Sequence, residues 1–356
     1  MSLDSVGVED FRCIERADLA LHDRCNLISG ENASGKTSLL EAIFVLGRGR
    51  SFRTAKAETL IRSGSAAFQL TARVRTDGSA RPLGLRLGKE GIEARYSGRP
   101  ISGLAELATI LPAQAIDPEV HRLIEGGPQE RRRFLDWGVF HVEPAFFPTW
   151  QRYSRALRQR NAALRARATA QEIQMWDGEL VAAAEILDQF RCAYLAQLLP
   201  VLLGYVSELT DLEGLQWEYR PGWSRKLDYG HCLNEALEGD RRQGFTRLGP
   251  HRADLIPTLD GEPAQERVSR GQQKQIAIAL MLAQAAVYQQ RSGQTCLFLI
   301  DDLASELDSI HRSRVLRHLC ELQVQIFLTA IESDAIEAQL WPEHRRFHVE
   351  HGRVEE

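Results

Sequence analysis

Segments in which apolar and polar residues alternate dominate the first third of the chain. Alternation of this kind predicts strands, because every second side chain of a strand faces the same side of a sheet. An apolar run that ends at Leu27-Ile28-Ser29 predicts the end of a short buried strand. The strand-like segments are residues 3–8, 17–21, 25–29, 68–75, 81–87 and 92–96.

Apolar positions at helical spacing begin at residue 36 and dominate the middle of the chain. Leu39, Leu40, Ile43, Phe44 and Leu46 predict one helix, and residues 118–212 read as helix with few strand signals. Strand-like patterns return at 255–259 and 296–300, with a helix predicted over 272–288 between them. We therefore predict an α/β protein whose mixed-sheet lobe, residues 1–115 and 245–356, is interrupted by a helical lobe at 116–244.

The composition is that of a globular chain that is large enough for two lobes. It has 356 residues, a net charge of −4, and no apolar run of membrane-spanning length. The first residues lack the pattern of a secretory signal, so we expect a cytoplasmic protein without a membrane partner. The cysteines form no C-x-x-C pair and predict reduced core thiols, not a zinc or disulfide framework. The negative charge excludes uniform coating of nucleic acid, so any such contact needs a local basic patch.

A phosphate-binding loop is predicted between the buried strand at 25–29 and the helix that begins at residue 36. Its pattern is G-x-x-x-x-G-K-[ST], and strand, loop and helix give the context that the pattern requires. The glycines let backbone N–H groups converge, and the helix N-terminus adds positive potential. We expect Lys36 to reach the β- and γ-phosphates and Thr37 to bind Mg²⁺; the alternative is a glycine loop without a ligand. The loop is Gly30, Glu31, Asn32, Ala33, Ser34, Gly35, Lys36 and Thr37.

An acidic pair follows the apolar strand at 296–300. Asp301 is predicted at the metal, and Asp302 stands where a general base would be. Alone, the acidic pair is weak evidence for a nucleotide site. Together with a phosphate loop, it is strong evidence. Lys36 and Asp301 are too far apart in sequence for adjacent strands of a simple nucleotide-binding fold, so the spacing predicts an insertion within one ATPase head.

Basic residues concentrate in two elements. The first is the loop Gly47-Arg48-Gly49-Arg50-Ser51-Phe52-Arg53-Thr54-Ala55-Lys56. The second is residues 151–170, with Arg152, Arg155, Arg158, Arg160, Arg165 and Arg167 and no acidic residue. Either could contact DNA phosphates. The alternatives are a solvated loop and an exposed helix whose acidic partners come from other elements.

Other polar residues have both a functional and a structural interpretation. Arg12 is either a solvated arginine at a strand end or a residue at the nucleotide. His251 and Asp254 could act as a general base, but a histidine in a Gly-Pro turn is more often structural. Ser269 suits a helix N-cap, and Gly271 would let a phosphate approach that helix end.

These motifs together resemble the ABC-type ATPase heads of the SMC class and, more narrowly, the RecF family of bacterial recombination mediators. The wider resemblance rests on four features: the phosphate loop, Ser269-Arg270-Gly271-Gln272-Gln273, the acidic pair, and the loop Ser305-Glu306-Leu307-Asp308. The narrower one rests on Gly49-Arg50-Ser51-Phe52-Arg53-Thr54, Glu125-Gly126-Gly127-Pro128, Phe134-Leu135-Asp136-Trp137, Gly249-Pro250-His251-Arg252-Ala253-Asp254 and Asp301-Asp302-Leu303-Ala304-Ser305-Glu306-Leu307-Asp308.

The resemblance implies a two-lobed head that forms an ATP-dependent homodimer on double-stranded or gapped DNA, in DNA repair, replication and the SOS response. Two ATP molecules with Mg²⁺ would lie between the subunits, and RecR- and RecO-type proteins would be partners. Ser269, Gly271 and Gln272 would contact the γ-phosphate of the other subunit. Arg12 would lie near the base, Gln114 would be a Q-loop residue, and Asp302 would assist slow hydrolysis.

The sequence departs from the family pattern at three places. Ala33 replaces a glycine, which requires φ to stay below zero at that position. Thr329-Ala330-Ile331 lacks the switch histidine of transporter ATPases, and Asp302 replaces the usual glutamate. The last two features predict slow turnover and therefore a timed switch instead of a motor, and the resemblance implies a weak, DNA-stimulated ATPase.

Three other functions are weighed against this one. A transporter ATPase is disfavoured by the missing histidine and the long helical insertion. A structural SMC protein would need a longer coiled coil and a cysteine hook, and a small-molecule kinase would lack the signature helix.

Overall fold

The computed structural model describes residues 1–331 and 340–356. Contacts divide the chain into two compact units. The first contains Met1–Val120 and Ile278–Glu356, and the second is His121–Ala277. The helix α10 (Arg270–Ser292) contains the boundary between them.

An antiparallel sheet of the first unit contains β1 (Ser2–Phe11), β2 (Ile14–Ala20), β4 (Phe68–Thr76), β5 (Ser79–Gly88), β6 (Gly91–Tyr96) and β7 (Arg99–Pro100). Its order is β2-β1-β4-β5-β6-β7. Buried and exposed residues alternate along β4, as expected for a sheet with one face on the core. The strands predicted at 68–75, 81–87 and 92–96 are confirmed.

The second sheet of this unit contains β3 (Cys25–Ser29), β8 (Ala113–Ile116), β12 (Leu297–Ile300), β13 (Gln325–Ala330), β14 (Arg345–Glu350) and β15 (Arg353–Glu355). Its order is β15-β14-β3-β13-β12-β8, and every pair except β14–β15 is parallel. All residues of β12 and β13 are buried, which is typical of parallel strands covered on both faces. The carboxyl ends of the parallel strands share one edge.

Four helices of the first unit are α1 (Lys36–Arg48), α2 (Leu104–Ile110), α11 (Leu303–Glu306) and α12 (Ser309–Glu321), with a 3-10 turn at Ala57–Leu60. The helix α1 packs on strands of both sheets, and its apolar residues belong to one core with theirs. It ends at Gly49, whose left-handed φ of 61° lets its N–H bond to the Val45 carbonyl at 2.7 Å.

The second unit is mainly helical but carries its own small sheet. Its helices are α3 (Arg122–Glu125), α4 (Pro128–Val142), α5 (Phe146–Arg165), α6 (Ala170–Gln174), α7 (Asp177–Leu209), α8 (Tyr229–Gln243) and α9 (Ala264–Arg267), with a 3-10 turn at Pro250–Arg252. Its strands are β9 (Leu215–Arg220), β10 (Asp254–Leu259) and β11 (Glu262–Pro263), in the order β11-β10-β9.

The second boundary between the units differs from the one predicted at residue 244. Residues 245–277 belong to the helical unit, because β10 pairs with β9 along its whole length, from Asp254 opposite Arg220 to Leu259 opposite Leu215. A buried ion pair between Asp254 and Arg131 of α4 strengthens this attachment, with an Nε–Oδ1 distance of 2.7 Å. The first boundary, predicted after residue 115, lies at Val120.

Residues Ala170–Leu209 are long and apolar enough to cross a membrane by length and composition, a test that core helices also pass. Within them, buried Arg191 of α7 donates two hydrogen bonds to Asp136 of α4 and one to the Pro250 carbonyl. These contacts within the second unit are typical of a core helix. The cysteines are free thiols, and Cys25, Cys232 and Cys296 are buried as predicted. Cys13 is exposed and Cys192 and Cys320 are partly exposed, so the core prediction was wrong for these three.

Candidate nucleotide site

The loop between β3 and α1 has the backbone that a phosphate-binding loop needs. Gly30 and Gly35 adopt φ values of 147° and 120°, which L-residues rarely adopt. A Cβ at Gly30 would also lie 2.2 Å from the Val349 carbonyl oxygen, so no side chain fits there. The N-terminus of α1 follows at Lys36 and adds its positive end to the loop.

Ala33 shows that one expectation about this loop was wrong. Its φ is 64°, although we expected an alanine to keep φ below zero. The left-handed conformation costs an L-residue roughly 1 kcal/mol relative to glycine, because Cβ crowds the following carbonyl. The surrounding loop therefore imposes the conformation against the preference of the residue.

Replacement of Ala33 by glycine is expected to stabilise the protein. Relief of the left-handed strain is worth about 1 kcal/mol, which corresponds to a rise of a few degrees in the transition that unfolds the first unit. Differential scanning calorimetry measures this shift. The matched control is Ala162→Gly on the exposed side of α5, which should lower stability by about 1 kcal/mol. A lower melting temperature for Ala33→Gly would contradict the assignment of strain.

The Lys36 ammonium lies across the loop. Its Nζ donates to the carbonyl oxygens of Gly30 and Glu31, each at 2.7 Å. Burial lowers the pKa of Lys36, while Asp302 and Asp301 oppose that shift. The Ser34 hydroxyl is buried and has no hydrogen-bond partner in the described part of the chain. An unpaired buried donor in the same loop as an ammonium group fits an anionic ligand there.

A chain of hydrogen bonds connects the loop to the ends of β12 and β13. The Thr37 hydroxyl donates to the Asp301 carboxylate, with distances of 2.8 and 3.0 Å to its two oxygens. Thr329 Oγ1 donates to Asp301 at 2.7 Å and accepts the Asp302 N–H at 2.9 Å. Thr329 thus fixes both acidic residues. In the sequence, this position stands out only because a histidine is missing there.

Thr37 and Asp301 together offer the oxygen ligands that Mg²⁺ prefers. Among residues 1–331 and 340–356, no group of three or more His, Cys, Asp or Glu side chains could hold a metal ion. A metal at this pair would need further oxygen ligands, and phosphate and water are the usual ones beside a phosphate loop. Asp302 follows with a left-handed φ of 50° at the start of α11.

Arg12 is held by a carboxylate that sequence reasoning missed. Its guanidinium donates to both oxygens of Glu41 at 2.9 and 2.8 Å, and to the Thr59 carbonyl at 2.9 Å. Glu41 is fully buried on α1, and the Ser51 hydroxyl also donates to it. The sequence does mark Glu41 as unusual, because this acidic residue interrupts the apolar run Leu39-Leu40-Glu41-Ala42-Ile43-Phe44. Arg12 therefore ties the β1–β2 turn to α1, and its predicted place near the base stays a prediction.

Gln114, the candidate Q-loop residue, lies within β8, two residues before the carboxyl end of that strand. It lies opposite Phe298 within β8 and is buried, with its Nε2 3.5 Å from Gln284 Oε1. The last residue of β8, Ile116, lies opposite Ile300, so Asp117 occupies the edge beside Asp301. The predicted role of Gln114 at the nucleotide stays a prediction.

The signature residues lie in the second unit at the start of α10. Ser269 and Gln272 form a reciprocal capping box: the Ser269 N–H donates to Gln272 Oε1 at 2.8 Å, and the Gln272 N–H donates to Ser269 Oγ at 3.3 Å. Gly271 is exposed, and a Cβ there would meet only Ser269 Oγ at 3.9 Å. The cap predicted at Ser269 is present, and the helix start is accessible.

His251 and Asp254 have structural partners in the second unit. The Tyr153 hydroxyl donates to His251 Nδ1 at 2.5 Å, and His251 Nε2 donates to the Thr246 carbonyl at 3.0 Å. Burial lowers the pKa of His251 to about 4, so the ring is neutral at pH 7. Asp254 is paired with Arg131. These partners favour the structural interpretation of this turn.

The hairpin of β14 and β15 covers one side of the phosphate loop. The Gly352 N–H donates to the Ser34 carbonyl at 2.8 Å. Gly352 adopts a φ of 79°, and a Cβ there would lie 2.2 Å from the Cys13 carbonyl oxygen. The hairpin turn therefore holds the loop and the β1–β2 turn together.

Comparisons with known proteins agree with this geometry. The family described as RecF/RecN/SMC N terminal domain matches residues 2–351. The DNA replication and repair protein RecF of Cellvibrio japonicus is 42% identical over 363 residues, which cover 99% of each chain.

Solved structures give the same result. One is described as "the recombination mediator protein RecF-ATPrS in RecFOR pathway" and has a TM-score of 0.87 at 25% identity, covering 99% of this chain and 97% of that chain. An Smc head domain from Pyrococcus furiosus has a TM-score of 0.58 at 14% identity, covering 99% and 95%, and supports the fold alone. The fold is thus an ABC/SMC-type ATPase head, and the chain belongs to the RecF family.

Proposed function

We propose that this protein is an ATP-dependent DNA-binding switch of recombinational repair and replication-fork maintenance. ATP binding drives two copies together on double-stranded or gapped DNA, and slow hydrolysis releases them and helps recombinase loading at gaps. The observation that carries the proposal is the Lys36 ammonium in the phosphate loop together with the hydrogen-bonded set of Thr37, Asp301 and Thr329, in a chain of the RecF family.

Within the site, the loop residues 30–37 would surround the triphosphate, and Lys36 would exchange its two carbonyl partners for phosphate oxygens. Thr37 and Asp301 would hold Mg²⁺, which neutralises charge on the β- and γ-phosphates. Asp302 would orient or deprotonate the attacking water. Its shorter side chain, compared with glutamate, suits slow turnover.

In the dimer, Ser269, Gly271 and Gln272 would approach the γ-phosphate of the other copy. Their support is local: the helix start is exposed, Gly271 leaves room for a phosphate, and backbone N–H groups point outwards at a helix N-terminus. We further propose a cytoplasmic location and partners of the RecR and RecO type, on the strength of the family alone.

Replacement of Thr329 by valine is expected to slow hydrolysis more than it weakens ATP binding. Valine keeps the shape but removes the donor to Asp301 and leaves the Asp302 N–H unpaired. A lost hydrogen bond to a charged group is worth about 1.5–3 kcal/mol, so turnover should fall at least about tenfold. Phosphate release and ATP binding are measured separately. Thr329→Ser keeps the hydroxyl and should retain most of the turnover; equal loss in both variants would argue against this role.

Fluorescence anisotropy of labelled gapped duplex DNA tests the proposal as a whole. Protein is titrated without nucleotide, with ADP, and with ATP and Mg²⁺, at two salt concentrations. We expect tight binding only with ATP, weakened by salt because phosphate contacts release counterions. Binding that ignores the nucleotide would mean that the ATPase does not control DNA, and a protein or membrane partner would become the better candidate.

A further inference from the structure

The arginines of the basic helix separate into two groups. Arg152 donates to Glu179 of α7 at 2.7 and 3.1 Å, and Arg160 is fully buried against Asp177 and Asp240. For these two, the acidic partners do come from other elements. Arg155, Arg158 and Arg165 are exposed, and the structure records no hydrogen bond or close ion pair for them within residues 1–331 and 340–356. These three arginines of α5 are accessible to another molecule, although Arg155, after Arg152, also contributes to the lowered pKa of Glu179. Arg167 is exposed as well, but it lies beyond the end of α5 with a left-handed φ of 55°.

These three arginines lie on one side of α5. With a helical rotation of about 100° per residue, they fall within an arc of about 80° and extend over about 15 Å of the helix axis. The helix carries no acidic residue, so no charge on α5 opposes them.

The positive surface continues onto α8. Arg165 packs beside Gly244, because a Cβ at Gly244 would lie 3.7 Å from Arg165 Cγ. Gly244 ends α8 with a left-handed φ of 77°, shortly after the exposed Arg242. We call Arg155, Arg158, Arg165 and Arg242 the arginine face.

The other basic element, the loop after α1, is less suited to hold DNA. The Arg48 guanidinium is half-buried 5.7 Å from the centre of the Phe44 ring, and burial lowers its pKa to about 10. Arg53 lies 3.6 Å from buried Glu41, which also accepts the Ser51 hydroxyl. Part of the positive charge of this loop is therefore balanced by the buried carboxylate of Glu41.

We propose that the arginine face contacts the phosphate backbone of DNA. Guanidinium groups bind phosphate oxygens strongly. Duplex DNA presents a phosphate about every 1.7 Å of its axis, so a face about 15 Å long meets several phosphates. Ala162, which lies between the arginines on this side of α5, offers no aromatic ring for stacking on bases. The contact is thus with the backbone and independent of sequence. This inference rests on the proposed DNA-binding function and assigns its surface.

The test is a triple variant, Arg155→Gln, Arg158→Gln and Arg165→Gln, because glutamine keeps helix propensity close to that of arginine. Anisotropy with gapped duplex DNA, ATP and Mg²⁺ is measured over a range of salt. Each phosphate contact makes the slope of log affinity against log salt steeper by about 0.9. Loss of three contacts should therefore reduce the magnitude of this slope by roughly 3 for each protomer. At about 0.1 M salt the affinity should fall about 100-fold or more. ATP-dependent dimerisation, followed by light scattering, should stay unchanged.

The matched control removes the same charge from the first unit. Arg81, Arg95 and Arg99 are exposed on β5, β6 and β7, and their replacement by glutamine should leave DNA affinity within about threefold of wild type. An equal loss of DNA affinity in both triple variants would show a general effect of charge. It would overturn the assignment of the arginine face as the DNA contact. Unchanged DNA binding in the α5 variant would overturn it too, while the proposed function would stand. Wild-type protein that dimerises on ATP but binds no DNA would overturn both.

Discussion

The Lys36→Met variant is expected to lose ATP-dependent dimerisation. Methionine keeps much of the length of the side chain but removes the ammonium group, which now bonds to two loop carbonyls and would bind phosphate oxygens. Charge-assisted hydrogen bonds are worth about 1.5–3 kcal/mol each, so ATP affinity should fall at least about tenfold and up to several hundredfold. Light scattering with and without ATP and Mg²⁺ measures the oligomeric state directly.

Lys89→Met is the control for this variant. Lys89 is exposed at the turn between β5 and β6, so its replacement removes the same charge far from the loop in sequence. It should dimerise like wild type. If Lys36→Met also dimerised on ATP like wild type, the proposed switch would be wrong, whatever the outcome for DNA.

A second large effect is expected from Arg160→Met, on stability. Arg160 donates to Asp177 at 2.7 Å, and to Asp240 and Thr246 at 2.8 Å each. Both Arg160 and Asp240 are fully buried. Without Arg160, buried Asp240 keeps Arg247 as its remaining ion-pair partner. Removal of one partner of a buried ion pair typically lowers stability by about 3–5 kcal/mol. Denaturant unfolding of the second unit, followed by tryptophan fluorescence, measures the cost.

The same helix supplies the comparison for that prediction. Arg152 forms an ion pair with Glu179, but their side chains are 50% and 46% exposed. Exposed pairs contribute about 0–1 kcal/mol, so Arg152→Met should change stability by less than about 1 kcal/mol. If Arg160→Met and Arg152→Met lowered stability by similar amounts, burial would not explain a difference between the two ion pairs.

Local patterns in the sequence predicted the parts of the site that depend on local structure. The buried strand, the glycine-rich turn and the amphipathic helix follow one another in sequence, so the phosphate loop could be placed from residues 25–48 alone. Asp301 was expected near Thr37 because an acidic pair after an apolar strand accompanies a phosphate loop, and the parallel strands that carry them do end at one edge of the sheet. Their hydrogen bond brings together residues that are remote in sequence.

Features that depend on pairing between distant segments could not be predicted in this way. The place of Gln114 in the sheet is one example, because no local pattern gives the register of β8 against β12. Residues 245–277 joined the helical unit because β10 finds β9, a partner separated from it by α8. The φ of Ala33 is imposed by a loop that neighbouring strands hold in place, against the preference of the residue itself.

The strand that precedes the phosphate loop is synthesised early but pairs with strands that are synthesised late. β3 (Cys25–Ser29) is hydrogen-bonded on one side to β13 and on the other to β14, both from the far end of the chain. At translation rates of about 5–20 residues per second, β3 leaves the ribosome on the order of 15–60 s before either neighbour. The second unit, His121–Ala277, is continuous and can fold in that interval. The nascent chain therefore exposes an unpaired apolar strand until late in synthesis, and a chain stopped before residue 325 would lack both neighbours that hold its nucleotide loop.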